Sequence, residues 1–292
     1  MLDYDMPLWR PPSEGDNLII QATIGCSFNR CGFCSMYRGK KFRARPLADV
    51  FADIETAAAL WPEAHRVFLA DGDALVLPLD DLLRILDKLA EALPNLARVS
   101  SYALPANLIK KSVEDLAALK SRRLSLLYYG IESGSTDILR RVTKGASPRA
   151  IAEGLGRARD AGLKVSATVI LGLGGRKRWR DHIDGTAELI NQCAPTYLST
   201  LQLGLDATIE AEFRARFGEP FETQDDAGML AEQSRLISQI DPPRPVIFHS
   251  NHASNALALA GILPRDRAAL LATLDAARAG ALALRPRRLR GH

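Results

Sequence analysis

The sequence predicts an α/β fold built on parallel strands. Three observations carry that expectation. From Asn17 to Leu205, short apolar runs alternate with amphipathic ones. Several of the short runs are continuously apolar rather than alternating, which suits strands covered on both faces. The stretches between them carry helix start and stop signals, so six strand-then-helix units follow one another, and such a series calls for right-handed crossovers. This pattern alone leaves open a doubly wound sheet, or a closed or partial barrel.

The predicted strands are, in order, "NLIIQATIG", "HRVFLA", "LARVSSYA", "RLSLLYYGIE", "LKVSATVIL" and "TYLSTLQLG". They are rich in Val, Ile, Leu, Tyr and Thr, which fit a pleated, packed surface. After the second, "LDDLLRILDKLAEAL" places Leu79, Leu82, Leu83, Leu86 and Leu93 on one helical face. Before the fourth, Ser112 and Asp115 have the spacing of a capping box. Before the fifth, Ser147 caps a helix that Pro148 opens and Gly162 closes. After Leu205 the strand rhythm is expected to stop. Two helices, a loop "DPPRPVIFHSNHASN", a last helix and a frayed basic tail "RPRRLRGH" follow. The predicted organisation is a lead over 1–16, a strand–helix domain over 17–205, and a mainly helical extension with the tail over 206–292.

Composition narrows the class. The chain has 292 residues, 47% hydrophobic, enough for one large core. A net charge of +4 permits an anionic ligand but does not indicate nucleic acid. No apolar run is long enough to span a bilayer, and "MLDYDMPLWRPP" shows no secretory leader. The expected compartment is the cytoplasm, where clustered cysteines bind metal more often than they pair.

Three of the four cysteines, Cys26, Cys31 and Cys34, fall within nine residues just after the first strand. The spacing is C-x4-C-x2-C. Ligands of parallel α/β folds bind at that end of the strands. Soft thiolates select zinc or iron–sulfur clusters. A closed zinc site wants a fourth ligand, and a plant-type two-iron centre wants a fourth cysteine. His65 opens the second strand, and Cys193 is expected as a core thiol at the end of a helix. Three thiolates suit a cubane with one iron left open. An electron-transfer protein and a zinc-binding interaction module are the alternative readings.

The loop "ATIGCSFNRCGFCSMYRGKKFRAR" resembles the cluster loop of the radical S-adenosylmethionine (SAM) superfamily, in a subgroup with one extra residue between the first two cysteines. That resemblance implies a partial TIM barrel, (β/α)6, which agrees with the six units, followed by a C-terminal mainly helical extension. It implies a [4Fe–4S] cluster on Cys26, Cys31 and Cys34, with the aromatic Phe33 before the last ligand. It implies SAM as second cofactor, cleaved reductively to a 5′-deoxyadenosyl radical that abstracts hydrogen from a substrate the sequence does not name. A reducing partner such as flavodoxin or ferredoxin is implied with it, as is oxygen sensitivity.

Further residues follow from the same resemblance. Gly72 and Asp73, in "FLADGDA", stand where the family's Gly-rich turn receives the SAM amino group. Glu132 ends the fourth strand, where a polar group meets the ribose or methionine end. On the fifth strand, Thr168, Ile170 and Gly172 stand on the pattern Gly-x-Ile-x-Gly-x-x-Glu, with Thr168 for its first Gly and Gly175 for its Glu. Among Lys40, Lys41, Arg43 and Arg45, Arg43 is the candidate for the SAM carboxylate, since a guanidinium matches a carboxylate fork. His249 and His252 sit in a polar loop whose spacing is a weak metal signal. With Cys193 the one later cysteine, no auxiliary cluster is expected, nor is a cobalamin-binding domain ahead of the first strand.

Overall fold

The computed structural model describes residues 2–291. Met1 and His292, the outermost residues of the predicted lead and tail, lie outside them. The chain forms two units. One comprises the residues up to Asn29, Met36–Tyr129 and Glu153–Val165; the other comprises Arg30–Ser35, Gly130–Ala152 and the chain from Ser166 onward.

The first unit is organised by parallel strands β1 (Leu18–Gln21), β2 (Arg66–Ala70), β3 (Arg98–Ala103) and the first six residues of β4 (Leu124–Glu132). They lie in chain order. The registers pair Leu18 with Val67, Arg66 with Arg98 and Ser100 with Leu126, with one irregularity at Val99/Ser100. Four of the five β2 residues are buried, as strands covered on both faces require. Helices α1 (Leu47–Leu60) and α2 (Leu79–Ala92) pack together here. The buried stripe of α2 is Leu82, Ile85, Leu86 and Leu89, continued by Leu93. It differs from the predicted face, because Leu79 and Leu83 are only half-buried at its margin. The short helix α3 (Pro105–Lys110) leads into α4 (Val113–Ser121). There Ser112 and Asp115 form the expected reciprocal cap, with bonds of 3.0 Å each way.

The second unit takes in the end of β4, then β5 (Lys164–Leu171, from Ser166), β6 (Tyr197–Gln202), β7 (Val246–His249) and β8 (Ala260–Leu263), in that order. Between β4 and β5 come α5 (Thr136–Arg141) and α6 (Pro148–Asp160). Ser147 Oγ caps α6 at 3.2 Å, and Gly162 takes the left-handed conformation, φ 75°, beyond its end. Helix α7 (Gly175–Cys193) ends on the buried Cys193. It packs against α9 (Asp226–Gln239), where Arg235 grips Asp184 with two bonds of 2.5 and 2.7 Å. An aromatic cluster of Phe213, Phe217 and Phe221, contributed by α8 (Ala207–Arg216) and the turn after it, packs with Ile138, Val142 and Leu173.

Two expectations for the C-terminal part are corrected. The strand rhythm does not stop at Leu205. "VIFH" forms β7, parallel to β6 with Tyr197 opposite Ile247, and β8 runs antiparallel beside it. A run of β-branched and aromatic residues next to an open sheet edge gains a ladder it cannot make as a loop. Nor is the tail frayed. After the last helix, α10 (Arg267–Arg278), Arg285 Nη1 donates to the carbonyls of His252 and Ala253 at 3.0 and 2.9 Å. Arg290 holds both oxygens of Asp226 at 2.7 and 2.8 Å. Fixed carbonyls and a carboxylate supply partners that turn basic residues from solvated groups into anchors. Among the described residues, no helix is long and apolar enough to cross a membrane.

Candidate cofactor site

The cysteine loop begins where β1 gives way to a tight turn. Gly25 has φ 74°, a conformation that favours glycine. Its N–H donates to Asp71 Oδ2 at 3.0 Å, and its carbonyl accepts from Gly72 N–H at 3.1 Å. Gly72 has no room for a side chain. A Cβ there would stand 2.8 Å from Cys26 Cβ and 2.9 Å from the Tyr37 ring. Cys26 therefore rests directly on the turn after β2. The next residue, Ser27, is clamped by Asp73, which accepts from its N–H at 2.8 Å and from its hydroxyl. Burial pushes the Asp73 carboxyl up, and the bonds from Ser27 pull against that shift.

Asp71 is fully buried and binds Lys40 at 2.9 Å, with the lysine side chain only 5% exposed. Lys40, not Arg43, is thus the buried cation of this segment. Arg43 sits exposed on a short ladder (Thr23–Ile24 with Arg43–Ala44), paired with Asp5 at 3.1 Å. Arg45 binds Asp53. Two buried polar atoms beside the turn lack hydrogen-bond partners: Asp71 Oδ1 and Tyr37 Oη. Burial, and next the charge of Asp71, push the Tyr37 phenol far up, yet no bond of ordinary geometry joins the two. Orphaned buried groups like these cost free energy unless something else pairs with them. The phenol and the carboxylate act on each other through charge and hydrogen bonding, as an imperfectly aligned donor–acceptor couple.

The other two cysteines belong to the second unit. Cys34 N–H donates to Cys31 O at 3.2 Å, and Gly32 N–H between them donates to Val142 O at 2.8 Å. Phe33 packs against the Phe213–Phe217–Phe221 cluster. Cys31 and Cys34, like Cys26, are half-exposed thiols rather than disulfides. Nearby, Glu132 ends β4 with φ 64° and pairs with Lys144 at 2.9 Å, both nearly buried. Burial works against the Lys144 charge, but Glu132, Cys31 and Cys34 outweigh it and raise its pKa. Among the described residues, no three His, Cys, Asp or Glu side chains stand together as a ready metal cage.

Along β5, Ser166, Thr168 and Ile170 share the half-exposed face while their neighbours are buried. Gly172 follows with φ 81°, and its N–H donates to Glu232 Oε2 at 2.6 Å. Met229 covers it, since a Cβ on Gly172 would lie 3.0 Å from the Met229 sulfur. Burial pushes the Glu232 carboxyl up to about 7 despite bonds from Gly172 and Gln224. His182 is fully buried between Ser133 Oγ at 2.8 Å and the Ile170 carbonyl at 3.0 Å, and burial drives its pKa down to about 4. Sequence reasoning missed Glu232 and His182. The only signal was a charged or titratable residue inside a predicted apolar helix face. Past β6, Gln202, Gln224, Asp226, Met229 and Arg290 line a cleft of about 370 Å³. In the loop after β7, His252 bonds to Ser254 and Asn255 pins the chain to Thr200 O at 2.7 Å; among the described residues, neither His249 nor His252 joins a cluster of three metal-ligating side chains.

Three comparisons bear on this arrangement. The sequence pattern of the Radical SAM superfamily matches residues 20–190. A protein of Methanocaldococcus jannaschii, named for methylthiotransferase activity, is 27% identical over 184 residues, covering 58% of this chain and 39% of its own length. This chain therefore spans about two fifths of that relative. Among solved structures, coproporphyrinogen III oxidase from Escherichia coli aligns with a TM-score of 0.56 at 18% identity, over 76% of this chain and 52% of that one. Methylornithine synthase aligns with a TM-score of 0.53 at 13% identity, over 76% and 62%. At these identities the alignments show the fold: an α/β chain with a parallel sheet, of the partial (β/α)6 barrel kind. With its cysteine loop inside the matched segment, the chain belongs to the radical SAM superfamily.

Proposed function

We propose that this chain is a radical SAM enzyme whose Cys26, Cys31 and Cys34 hold a [4Fe–4S] cluster with one iron left open, and that S-adenosylmethionine binds beside it at the ends of β2, β4 and β5. When bound, the pair would supply reductive cleavage of SAM and a radical able to abstract hydrogen. The observation that carries this reading is the seat of Cys26 on the side-chain-free Gly72.

The residues take separable parts. Three thiolates supply the soft donors that iron–sulfur clusters require. Metal binding orders its own ligands, so the loop need not be a closed cage beforehand. Asp73, through Ser27, fixes the loop immediately after Cys26. Phe33 anchors the stretch between Cys31 and Cys34 to the aromatic cluster. Tyr37 remains a phenol, so its O–H stays a donor. Glu132, Thr168, Ile170 and Gly172 are proposed to contact SAM; the Gly172 N–H is taken by Glu232, and its carbonyl, which accepts from Gly175 N–H at 3.0 Å, keeps one lone pair. Arg43 is exposed and paired with Asp5. Residues 17–205 are proposed to carry the chemistry and residues 206–292 to cover it. The reductant is a flavodoxin- or ferredoxin-like protein, and the setting is the cytoplasm.

Anaerobic reconstitution and metal analysis test the reading. About four irons and four sulfides per chain are expected, against two for a plant-type relay centre or one zinc for a structural module. With dithionite and SAM the protein should release 5′-deoxyadenosine, and Cys31→Ala should lose both iron and that product. Release at the parent rate from Cys31→Ala would overturn the reading.

A further inference from the structure

Lys144 carries its ammonium into a buried ion pair. Its side chain is 5% exposed and its ammonium stands 2.9 Å from Glu132 Oε1. Room for the pair comes from Gly130, two residues before Glu132. A Cβ at 130 would lie 2.7 Å from Lys144 Nζ and 2.9 Å from Glu132 Cδ. Glu132 itself takes φ 64°, which costs a residue with a side chain. The local backbone thus gives up freedom twice to bring this ammonium in.

Its location suggests why. Val142, two residues before Lys144, accepts the N–H of Gly32, which lies between Cys31 and Cys34. The turn bearing Lys144 is thereby tied to the segment bearing those two thiols. A buried pair that served only packing could be exchanged for apolar residues at little cost. A cation held near metal-ligating sulfurs has a second effect, because net charge and the surrounding shell set the potential of an iron–sulfur centre.

We propose that Lys144 is a positioning residue for the cluster, its ammonium offsetting the negative charge at Cys31 and Cys34 so that the cluster accepts an electron more readily than it otherwise would, with Glu132 moderating that effect. This rests on the radical SAM reading above. The step concerned is a one-electron change, [4Fe–4S]2+ to [4Fe–4S]1+, the electron coming from dithionite, with no bond made or broken.

The test is a redox titration of the anaerobically reconstituted full chain without SAM, followed by the paramagnetic resonance of the reduced cluster, with iron content measured alongside. Lys144→Met should shift the midpoint to a more negative value and Glu132→Gln to a more positive one. Lys144→Arg should stay near the parent, and Lys144→Met with Glu132→Gln should fall between the two single variants. If Lys144→Met alone fails to fold, Glu132→Gln and the double variant, which leaves no unpaired buried charge, decide the matter. Fully loaded variants that share the parent midpoint overturn the proposal while leaving the radical SAM reading intact. A parent chain that takes up no iron sinks both.

Discussion

Cys26 and Gly72 are locked together: an ideal Cβ on residue 72 would come within 2.8 Å of the cysteine's own Cβ. No flexible side-chain tip could yield there, because Cys26 Cα is also within 3.0 Å. Gly72→Ala should therefore push the cysteine loop off the end of β2. The expected result is loss of most iron on reconstitution, with helical content retained by circular dichroism. Full iron loading in Gly72→Ala would show that this close approach is not needed.

Glu232 gives a pH dependence of defined sign. Its folded pKa, about 7, lies above the ordinary carboxylate value. Between about pH 4.5 and 7 the folded chain holds a proton that the unfolded chain has released. Stability therefore falls as pH rises through that window and levels off above it. Glu232→Gln keeps an acceptor for Gly172 and removes this penalty, which is roughly 3 kcal/mol as an upper bound. Denaturant midpoints of parent and variant should separate on going from pH 5 to pH 8, in favour of the variant.

His182 acts in the opposite direction. Its folded pKa, near 4, lies below the ordinary histidine value. From about pH 6.5 down to 4 the unfolded chain takes up a proton that the folded chain refuses, so stability is lost on acidification. His182→Gln should flatten this part of the pH profile, although loss of the ring's packing lowers stability at every pH. An unchanged acid slope in the variant would exclude His182 as its source.

The end of the chain should matter more than its composition suggests. Arg290 is 7% exposed at its side chain and holds Asp226 at the start of α9 with two bonds. Arg290→Ala leaves Asp226 without that partner and should cost about 1–3 kcal/mol. Arg290→Lys should recover only part of this, since an ammonium cannot supply the planar fork. Thermal melts, together with the rate of proteolysis after Ala279, read the effect.

How much was legible in the sequence follows from the kind of interaction involved. The six strands Leu18–Gln21 through Tyr197–Gln202 were readable because periodicity and flanking turn residues are local signals. So was the Ser112–Asp115 cap. Val246–His249 was not: "VIFH" is too short to stand out, and its pairing partners in β6, such as Tyr197 for Ile247, lie fifty residues back. Lys40 and Arg43 looked alike as sequence, and only the fold shows that Lys40 meets buried Asp71 while Arg43 faces solvent. Arg285 and Arg290 looked like solvated charge until the carbonyls of the His252–Ala253 loop and the carboxylate of Asp226 supplied partners.

The bond from Gly172 to Glu232 also bears on how the protein is made. It joins residues 60 positions apart. At translation speeds of about 5–20 residues per second, that is a delay of about 3–12 seconds. Until Glu232 emerges from the ribosome, the end of the fifth strand has a bare amide and no cover from Met229. During that interval the nascent chain leaves the end of the fifth strand open to solvent, so this corner of the fold closes only once α9 has been made.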